Sequence, residues 1–147
     1  HGYVFGEHGD SSFVPWSLAN IGSVPVEKYA DAVKGLNLPS FNKDDVEDYI
    51  RKSGGIIIAA KNCTNYAIGV TTATLCEALM YKTDTVLTIS TMMHGEYGID
   101  DVCLSIPAVV SRNGIASRII APLTDDEIAK LRHSADCLKD VINQLTF

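Results

Sequence analysis

The 147-residue sequence predicts an α+β fold in which a mixed or antiparallel sheet packs against long helices. Apolar residues recur at helical spacing through two consecutive segments between residues 42 and 80. The turn Ser111-Arg112-Asn113-Gly114 joins two β-rich runs, and Asn-Gly is a strong signal for a hairpin with a type I′ turn. Thr124-Asp125-Asp126-Glu127 is a capping box that opens an amphipathic helix.

The first element is an extended run that ends in a histidine between glycines. Tyr3 to Phe5 have strand preference, whereas Gly6 and Gly9 allow the backbone to turn sharply around His8. A strand is therefore predicted to deliver an imidazole to a loop. Histidine ordinarily titrates near neutral pH, so a fixed imidazole is a candidate for accepting and returning a proton. The alternative is that His8 is a solvated loop residue.

Short elements are predicted before the long helices. Residues 12–25 are apolar but interrupted by proline and glycine, which favours a short turn of helix and a short strand, with Trp16 as a core anchor. Residues 27–38 are expected to hold one or two helical turns, because Gly35 and Pro39 break the pattern.

A long helix is predicted to begin after Ser40 or Asn42, either of which is a suitable cap. Gly54 and Gly55 fall in its middle, where such a pair indicates a kink or a close contact with another subunit or domain. Its apolar residues follow helical spacing: Val46, Tyr49, Ile50, Ile57 and Ile58.

A second helix is predicted from a cap at Thr64 to about Met80. The bend between the two helices should present the Thr64 hydroxyl and nearby backbone N–H groups. In the alternative, Thr64 is a helix cap and nothing more.

The second half of the chain predicts an antiparallel sheet and a final helix. The strands cover residues 83–92, 102–110 and 115–121. The loop between the first two carries acidic residues and a histidine without a rigid ligand spacing, so no metal site is predicted at His94, Glu96, Asp100 and Asp101. The last helix has one apolar stripe: Ile128, Leu131, Ala135, Leu138, Val141 or Ile142, and Leu145.

Composition and charge indicate a soluble globular protein. Hydrophobic residues make up 46% of the chain, too many for a disordered segment, and no apolar run approaches the roughly 20 residues that span a bilayer. The net charge is −6 and the 12 basic residues are scattered, which argues against nucleic acid as a partner. The four cysteines lack C-x-x-C spacing, which favours reduced thiols in a cytoplasmic protein. The chain starts inside a predicted strand without an initiator Met, so we expect a piece of a longer protein.

Several motifs together resemble one known family. Gly6-Glu7-His8-Gly9-Asp10-Ser11 resembles the active-site motif of the lactate/malate dehydrogenase family, which are NAD-dependent 2-hydroxyacid dehydrogenases. Pro15-Trp16-Ser17 follows it as in many bacterial members of the lactate branch. Thr64-Asn65-Tyr66-Ala67-Ile68-Gly69 is similar to the family's Thr-x-aromatic-x-Ile-Gly segment, and Tyr97-Gly98-Ile99 and Ser105-Ile106-Pro107 are similar to its strand and loop sequences. The resemblance extends over residues 1–147 and implies the C-terminal, substrate-binding domain.

The resemblance implies a reaction and four site residues. A 2-hydroxy acid loses hydride to NAD and a proton to a base, or a 2-keto acid gains both, and His8 matches the family's proton donor and acceptor. By the same resemblance Thr64 contacts the substrate and Ile68 lies against the nicotinamide ring. His1 matches the position where allosteric bacterial lactate dehydrogenases bind fructose 1,6-bisphosphate across a subunit interface. A histidine at a strand end, without a ligand, is the alternative.

The sequence lacks the parts that this family uses to hold its coenzyme. It has no G-x-G-x-x-G after a strand, and the family's arginine clamp and the aspartate that pairs with the histidine lie upstream of the stretch matching His1. We therefore expect this chain alone to be inactive. Thr64 and Pro15-Trp16-Ser17 favour the lactate branch, with a malate or other 2-hydroxyacid dehydrogenase as the alternative. A non-catalytic interaction module is the alternative from another class. The family resemblance suggests a homotetramer.

Overall fold

The computed structural model describes residues 1–81 and 84–145. It confirms the predicted α+β class, because helices precede and follow a three-stranded antiparallel sheet of order β3-β4-β5. The strands are β1 (Asn20–Ile21), β2 (Val24–Pro25), β3 (Thr85–His94), β4 (Asp100–Ser111) and β5 (Gly114–Arg118). The α-helices are α1 (Val26–Ala32), α2 (Lys43–Lys61), α3 (Tyr66–Met80) and α4 (Asp125–Ile142), and two 3₁₀ turns cover Trp16–Leu18 and Glu96–Gly98.

The core lies between β4 and α4. Alternate residues of β4 point inwards, so Val102, Leu104 and Ile106 are almost completely buried. Leu131 and Ala135 of α4 belong to the same cluster. Burial of an aliphatic side chain of this size stabilises the fold by about 1.5–3 kcal/mol. The N-terminal stretch and the β3–β4 hairpin contribute the remaining members: Phe5, Phe13, Met93 and Ile99.

Helix α4 begins as the capping box predicts. The Thr124 hydroxyl accepts a hydrogen bond from the Glu127 N–H, and the Glu127 carboxylate accepts one of 2.9 Å from the Thr124 N–H. The apolar stripe is confirmed where it meets the sheet, at Leu131 and Ala135. Its end is uncovered, since Val141 is 57% exposed.

The turn between β4 and β5 differs from the predicted type I′ form. That form needs positive φ at both Asn113 and Gly114, but of these two residues only Gly114 has it, at 95°. A register shift beside Val110 takes up an extra residue, Ala116, as a bulge. The hairpin is therefore closed by a turn that ends in a left-handed glycine, and the bulge lies two residues further along β5.

The limits of the strands also differ from the prediction. β5 ends at Arg118 and does not reach Ala121. Pro107 of β4 accepts a 2.8 Å hydrogen bond from the Ile119 N–H but has no N–H to return, so the ladder stops there. The predicted start of the preceding strand, at Thr83, lies outside the described residues.

The N-terminal stretch does not form the strand predicted at Tyr3 to Phe5. It makes two isolated bridges, Phe5 with Phe13 and Gly6 with Ser105. Gly6 has a φ of 96°, which turns the backbone out of the extended conformation before a regular strand can form.

The short elements after this stretch follow the prediction, except for Trp16. This residue is half-buried and is not a member of the core cluster. Its ring lies beside that of Phe41, with centroids 5.7 Å apart, and its indole N–H bonds to Glu47. An indole carries a polar N–H that requires a partner, which explains its place at the rim of the core.

Helix α2 is capped as predicted, because the side chain of Asn42 accepts a 2.9 Å hydrogen bond from the Asp44 N–H. The helix runs on through Gly54 and Gly55. Apart from the adjacent residues and the backbone of the same helix, no atom of the described chain lies within 4 Å of the place where a Cβ of either glycine would be. The predicted close contact is therefore not made within residues 1–81 and 84–145.

The predicted cap at Thr64 is wrong. Helix α3 begins at Tyr66 with Asn65 as its N-cap, and that side chain makes no capping bond. Asn62 ends α2 in the left-handed conformation, with a φ of 62°. Residues 63–65 are then needed for the turn, which places Thr64 before the cap position.

The outer faces of α2 and α3 are apolar and uncovered. Ile56 is 50% exposed, Ile68 is 63% exposed and Tyr66 is 77% exposed. Exposed apolar patches of this kind mark interaction surfaces in soluble proteins. Among the described helices, none combines the length and the apolar character needed to cross a bilayer.

Candidate active site

His8 lies at the tip of a loop whose base is closed by Phe5 and Phe13. The Phe5 N–H donates to the Phe13 carbonyl at 2.9 Å, and the Phe13 N–H donates to the Phe5 carbonyl at 3.1 Å. Gly6 continues the pairing with Ser105 of β4 through hydrogen bonds of 3.2 and 2.8 Å. The loop of residues 6–12 is thus held on the part of β4 that β5 does not reach.

Glu7 braces this loop from within. Its carboxylate accepts hydrogen bonds from the Ser11 hydroxyl at 2.5 Å and from the Ser11 N–H at 3.2 Å. Within the described chain, no hydrogen bond or ion pair joins His8 to Glu7 or Asp10. The exposed imidazole therefore has no carboxylate partner among the residues beside it in sequence.

Two clefts open beside the His8 loop. One, of about 350 Å³, lies between the loop and α2, and its lining includes His8, Asp10, Ile50 and Arg51. The other, of about 440 Å³, lies between the loop, the sheet and the end of α4, and its lining includes His8, Cys103 and Ile142. A small ligand thus has access to the imidazole from either side of the loop.

Arg51 is a cleft residue that the sequence did not single out. Its Nη1 donates to the Ser12 carbonyl at 3.1 Å and lies 3.4 Å from a carboxylate oxygen of Glu47. The guanidinium therefore ties α2 to the base of the His8 loop.

The segment after the loop is anchored on two sides. The Trp16 indole N–H donates to Glu47 of α2 at 2.7 Å. The Ser17 hydroxyl and N–H donate to Glu127 of α4 at 2.5 and 3.0 Å. Burial opposes ionisation of Glu127, but these bonds and those from Thr124 outweigh it and lower the pKa of its carboxyl below the ordinary value.

Thr64 and Ile68 lie apart from the His8 loop. Both side chains are exposed, Thr64 in the turn between α2 and α3 and Ile68 in the first turn of α3. Neither lines the two clefts beside His8. Neither of these two clefts therefore brings His8, Thr64 and Ile68 together.

His1 is also exposed, and its carbonyl accepts a 3.0 Å hydrogen bond from the Asn20 N–H beside β1. The four cysteines are free thiols, and three of them are exposed: Cys63, Cys76 and Cys103. Across residues 1–81 and 84–145, no group of three or more His, Cys, Asp or Glu side chains is arranged to hold a metal ion.

Comparison with known proteins assigns the chain to a family. The family model described as the lactate/malate dehydrogenase, alpha/beta C-terminal domain, matches residues 1–146. The chain belongs to the lactate/malate dehydrogenase C-terminal domain family. The predicted family is thereby confirmed.

Relatives of this dehydrogenase domain are longer than the chain. The chain is 38% identical over 145 residues to the L-lactate dehydrogenase of Thermoanaerobacterium saccharolyticum, and the match covers 99% of the chain and 46% of that relative. The structure of the minor L-lactate dehydrogenase from Enterococcus mundtii in a ligands-bound form matches with a TM-score of 0.89 and 31% identity, over 100% of the chain and 46% of that protein. Malate dehydrogenase from Archaeoglobus fulgidus, in complex with NADH, matches with a TM-score of 0.82 and 29% identity, over 100% and 44%. The chain thus spans a little under half the length of these proteins.

Sequence reasoning overlooked one buried residue of this dehydrogenase domain that touches the histidine loop. Ser134 of α4 is completely buried, and its Oγ accepts a 2.7 Å hydrogen bond from the Glu7 N–H. In the sequence, Ser134 differs from its surroundings in that it places a hydroxyl within the apolar stripe, about one helical turn after Leu131.

Proposed function

We propose that this chain is the substrate-binding half of an NAD-dependent L-lactate dehydrogenase that interconverts pyruvate and L-lactate. The observation that carries the proposal is the His8 loop, which is fixed to β4 through Gly6 and to α4 through Glu7 while its imidazole opens onto two clefts. A rigid scaffold that presents one exposed imidazole beside a cleft suits general acid and base catalysis. The family supplies the substrate class.

His8 is the proposed proton carrier. In pyruvate reduction the imidazolium donates its proton to the keto oxygen, which stabilises the negative charge that develops there. In lactate oxidation the neutral imidazole accepts the proton of the 2-hydroxyl group. The Glu7 carboxylate already accepts two hydrogen bonds from Ser11. The carboxylate that orients the imidazole is therefore expected from the coenzyme-binding half of the enzyme.

The substrate carboxylate also requires a partner outside this chain. Arg51 lines the cleft, but its Nη1 is bonded to the Ser12 carbonyl and its charge is shared with Glu47. A carboxylate binds best to a guanidinium that has two parallel N–H groups free to donate to it. We infer that the arginine clamp belongs to the other half of the enzyme and that Thr64 completes the substrate site from this side.

The uncovered face of α3 fits a nicotinamide ring. Ile68 is 63% exposed, and an aromatic ring gains free energy by covering such apolar surface. When bound, NAD would supply or accept the hydride. Ile68 would lie against the ring and orient it, whereas the dinucleotide would be bound mainly by the coenzyme-binding half.

The remaining apolar surface supports association. We propose that the exposed residues of α2 and α3 are covered by the coenzyme-binding half and by further subunits. A homotetramer and a cytoplasmic location are what the family resemblance implies. The chain alone is expected to bind NAD weakly and to show no turnover.

His1 is proposed as part of a fructose 1,6-bisphosphate site. It is exposed and lies on the surface beside β1, where a ligand can reach its imidazole. Fructose 1,6-bisphosphate should activate the intact protein, and His1→Ala should abolish this activation without changing basal turnover. Unchanged activation in the variant would remove His1 from the site.

The deciding experiment compares keto acids. The intact protein, expressed with its coenzyme-binding half, is offered pyruvate and oxaloacetate with NADH, in parallel with His8→Gln. Preference for pyruvate, with a loss of about 10²–10⁴-fold in kcat/KM for the variant, is expected. Preference for oxaloacetate would keep the mechanism and assign the malate reaction. A His8→Gln enzyme as active as wild type would exclude His8 as the proton carrier.

A further inference from the structure

We propose that Ser134 is a positioning residue for His8, because its buried hydroxyl holds both flanks of the histidine loop. The inference rests on the proposed function in one respect, namely that His8 carries the proton. Ser134 itself does not reach the imidazole or either cleft.

One hydroxyl group contacts the loop before and after the histidine. Ser134 Oγ accepts a 2.7 Å hydrogen bond from the N–H of Glu7, the residue that precedes His8. The same oxygen lies 2.9 Å from the hydroxyl oxygen of Ser11, three residues after His8. Both ends of the segment that carries the imidazole are therefore attached to a single point on α4.

Glu7, Ser11 and Ser134 form a closed ring of three hydrogen bonds. A hydroxyl has one proton to donate, and the 2.5 Å distance assigns that of Ser11 to the Glu7 carboxylate, since a charged acceptor makes the shorter bond. Ser134 then donates to Ser11 and accepts from the Glu7 N–H. Removal of the Ser134 hydroxyl breaks two of these three hydrogen bonds and leaves the partly buried Glu7 N–H without a partner.

The close approach of loop and helix supports a role specific to this place. A Cβ on Gly6 would lie 2.7 Å from Ser134 Oγ, so the loop passes too close to Ser134 for a side chain at position 6. Ser134 is completely buried, and a buried hydroxyl carries a desolvation cost that an alanine would avoid. Its described partners both belong to the His8 loop, Glu7 and Ser11.

The test compares Ser134→Ala with Ala135→Gly in the intact protein. Ala135 is the next residue of α4 and is also buried, but it belongs to the apolar core cluster, so its variant controls for loss of helix stability. Hydrogen exchange of a peptide covering residues 5–13 measures the order of the loop. The single-turnover rate of NADH oxidation with pyruvate, followed across pH, measures the chemical step.

Ser134→Ala is expected to speed exchange in residues 5–13 and to slow the single-turnover rate about 10- to 100-fold, the scale of a misplaced catalytic group. KM for pyruvate should change much less than the rate. Ala135→Gly should lower the melting temperature, speed exchange in residues 5–13 less than Ser134→Ala does, and leave the rate unchanged. Ser11→Ala, which removes the half-buried hydroxyl of this ring, should also speed exchange of the loop and slow the single-turnover rate. The double variant should be no slower than Ser134→Ala.

Two results would overturn the proposal: unchanged exchange of the loop in Ser134→Ala, or equal slowing of the single-turnover rate by Ala135→Gly. The exchange measurement needs no substrate. If the wild-type protein does not turn over pyruvate, the proposed function fails, and exchange still decides whether Ser134 fixes the loop.

Discussion

Indole Nε1 of Trp16 donates a 2.7 Å hydrogen bond to Oε1 of Glu47, which joins the segment after the His8 loop to helix α2. Glu47 is buried, and its carboxylate also lies 3.4 Å from Arg51 and 3.9 Å from Lys130 of α4. Three separate parts of the chain therefore meet at one carboxylate. The indole N–H is its shortest contact.

Trp16→Phe is predicted to loosen α2. The phenyl ring can still stack on Phe41, but Glu47 loses a hydrogen bond to a charged acceptor, at a cost of about 1.5–3 kcal/mol in the free energy of unfolding. Denaturant unfolding of the intact protein followed by circular dichroism measures this, because the substitution removes the fluorescence of the single tryptophan in this chain. In a Glu47→Gln background the same substitution should cost less. Equal costs in both backgrounds would contradict an energetic role for the bond.

Gly6→Ala is predicted to destabilise the His8 loop. The position has a φ of 96°, and the new Cβ would meet Ser134 Oγ at 2.7 Å. The left-handed backbone alone costs an L residue about 1–2 kcal/mol, and overpacking adds roughly 1–3 kcal/mol. Gly22→Ala is the matched control, because Gly22 also has positive φ but no atom within 4 Å of its Cβ position. If thermal unfolding of the two variants is the same, the clash with Ser134 has no energetic consequence.

The parts of the fold that the sequence predicted depend on local rules. The Thr124 capping box and the long helix after Asn42 require only neighbouring residues, and both formed as expected. The resemblance located the His8 motif because it is a continuous string. The predicted type I′ turn was wrong because Ser111 pairs with Gly114, so Gly114 follows the two central turn residues and Asn113 does not adopt positive φ.

The parts that the sequence did not predict depend on distant residues. Glu7 and Ser134 are 127 positions apart, and no periodicity relates them. The apolar spacing of α2 predicted a buried face, but Tyr49 is 65% exposed in this chain. A pattern indicates that a face needs cover and does not say which surface provides it.

Thr64→Val is predicted to weaken substrate binding. Loss of the hydroxyl removes one proposed hydrogen bond to the keto acid, so KM for pyruvate should rise about 10-fold, the equivalent of roughly 1.5 kcal/mol. Thr71→Val is the matched control, since Thr71 lies seven residues after Thr64, within α3, and its exposed hydroxyl donates to the Ala67 carbonyl. Steady-state kinetics with saturating NADH gives both values. A similar rise in KM for the control would show a general effect on α3.

Ile68→Ala is predicted to act on the coenzyme. Loss of apolar surface on the exposed face of α3 should raise KM for NADH and leave KM for pyruvate nearly unchanged. Val70→Ala, which is exposed on the same helix, is the control. The assignment of Ile68 to the nicotinamide side fails if both variants raise KM for NADH equally.

Glu127 is predicted to make stability depend on pH. Its folded-state pKa is lowered, because hydrogen bonds from Ser17 and Thr124 outweigh the effect of burial. A depressed folded pKa means that the carboxylate stabilises the fold fully above its unfolded pKa of about 4.3 and that this stabilisation is lost as pH falls through the folded value. Wild type should therefore exceed Glu127→Gln in unfolding free energy at pH 7, and the difference should shrink below about pH 4.3. Ser17→Ala, which removes one donor and keeps the Ser17 N–H, should show a smaller loss in the same pH range. Denaturant titrations of the three proteins at pH 7, 5, 4 and 3 test this, and a difference that grows towards acid would refute it.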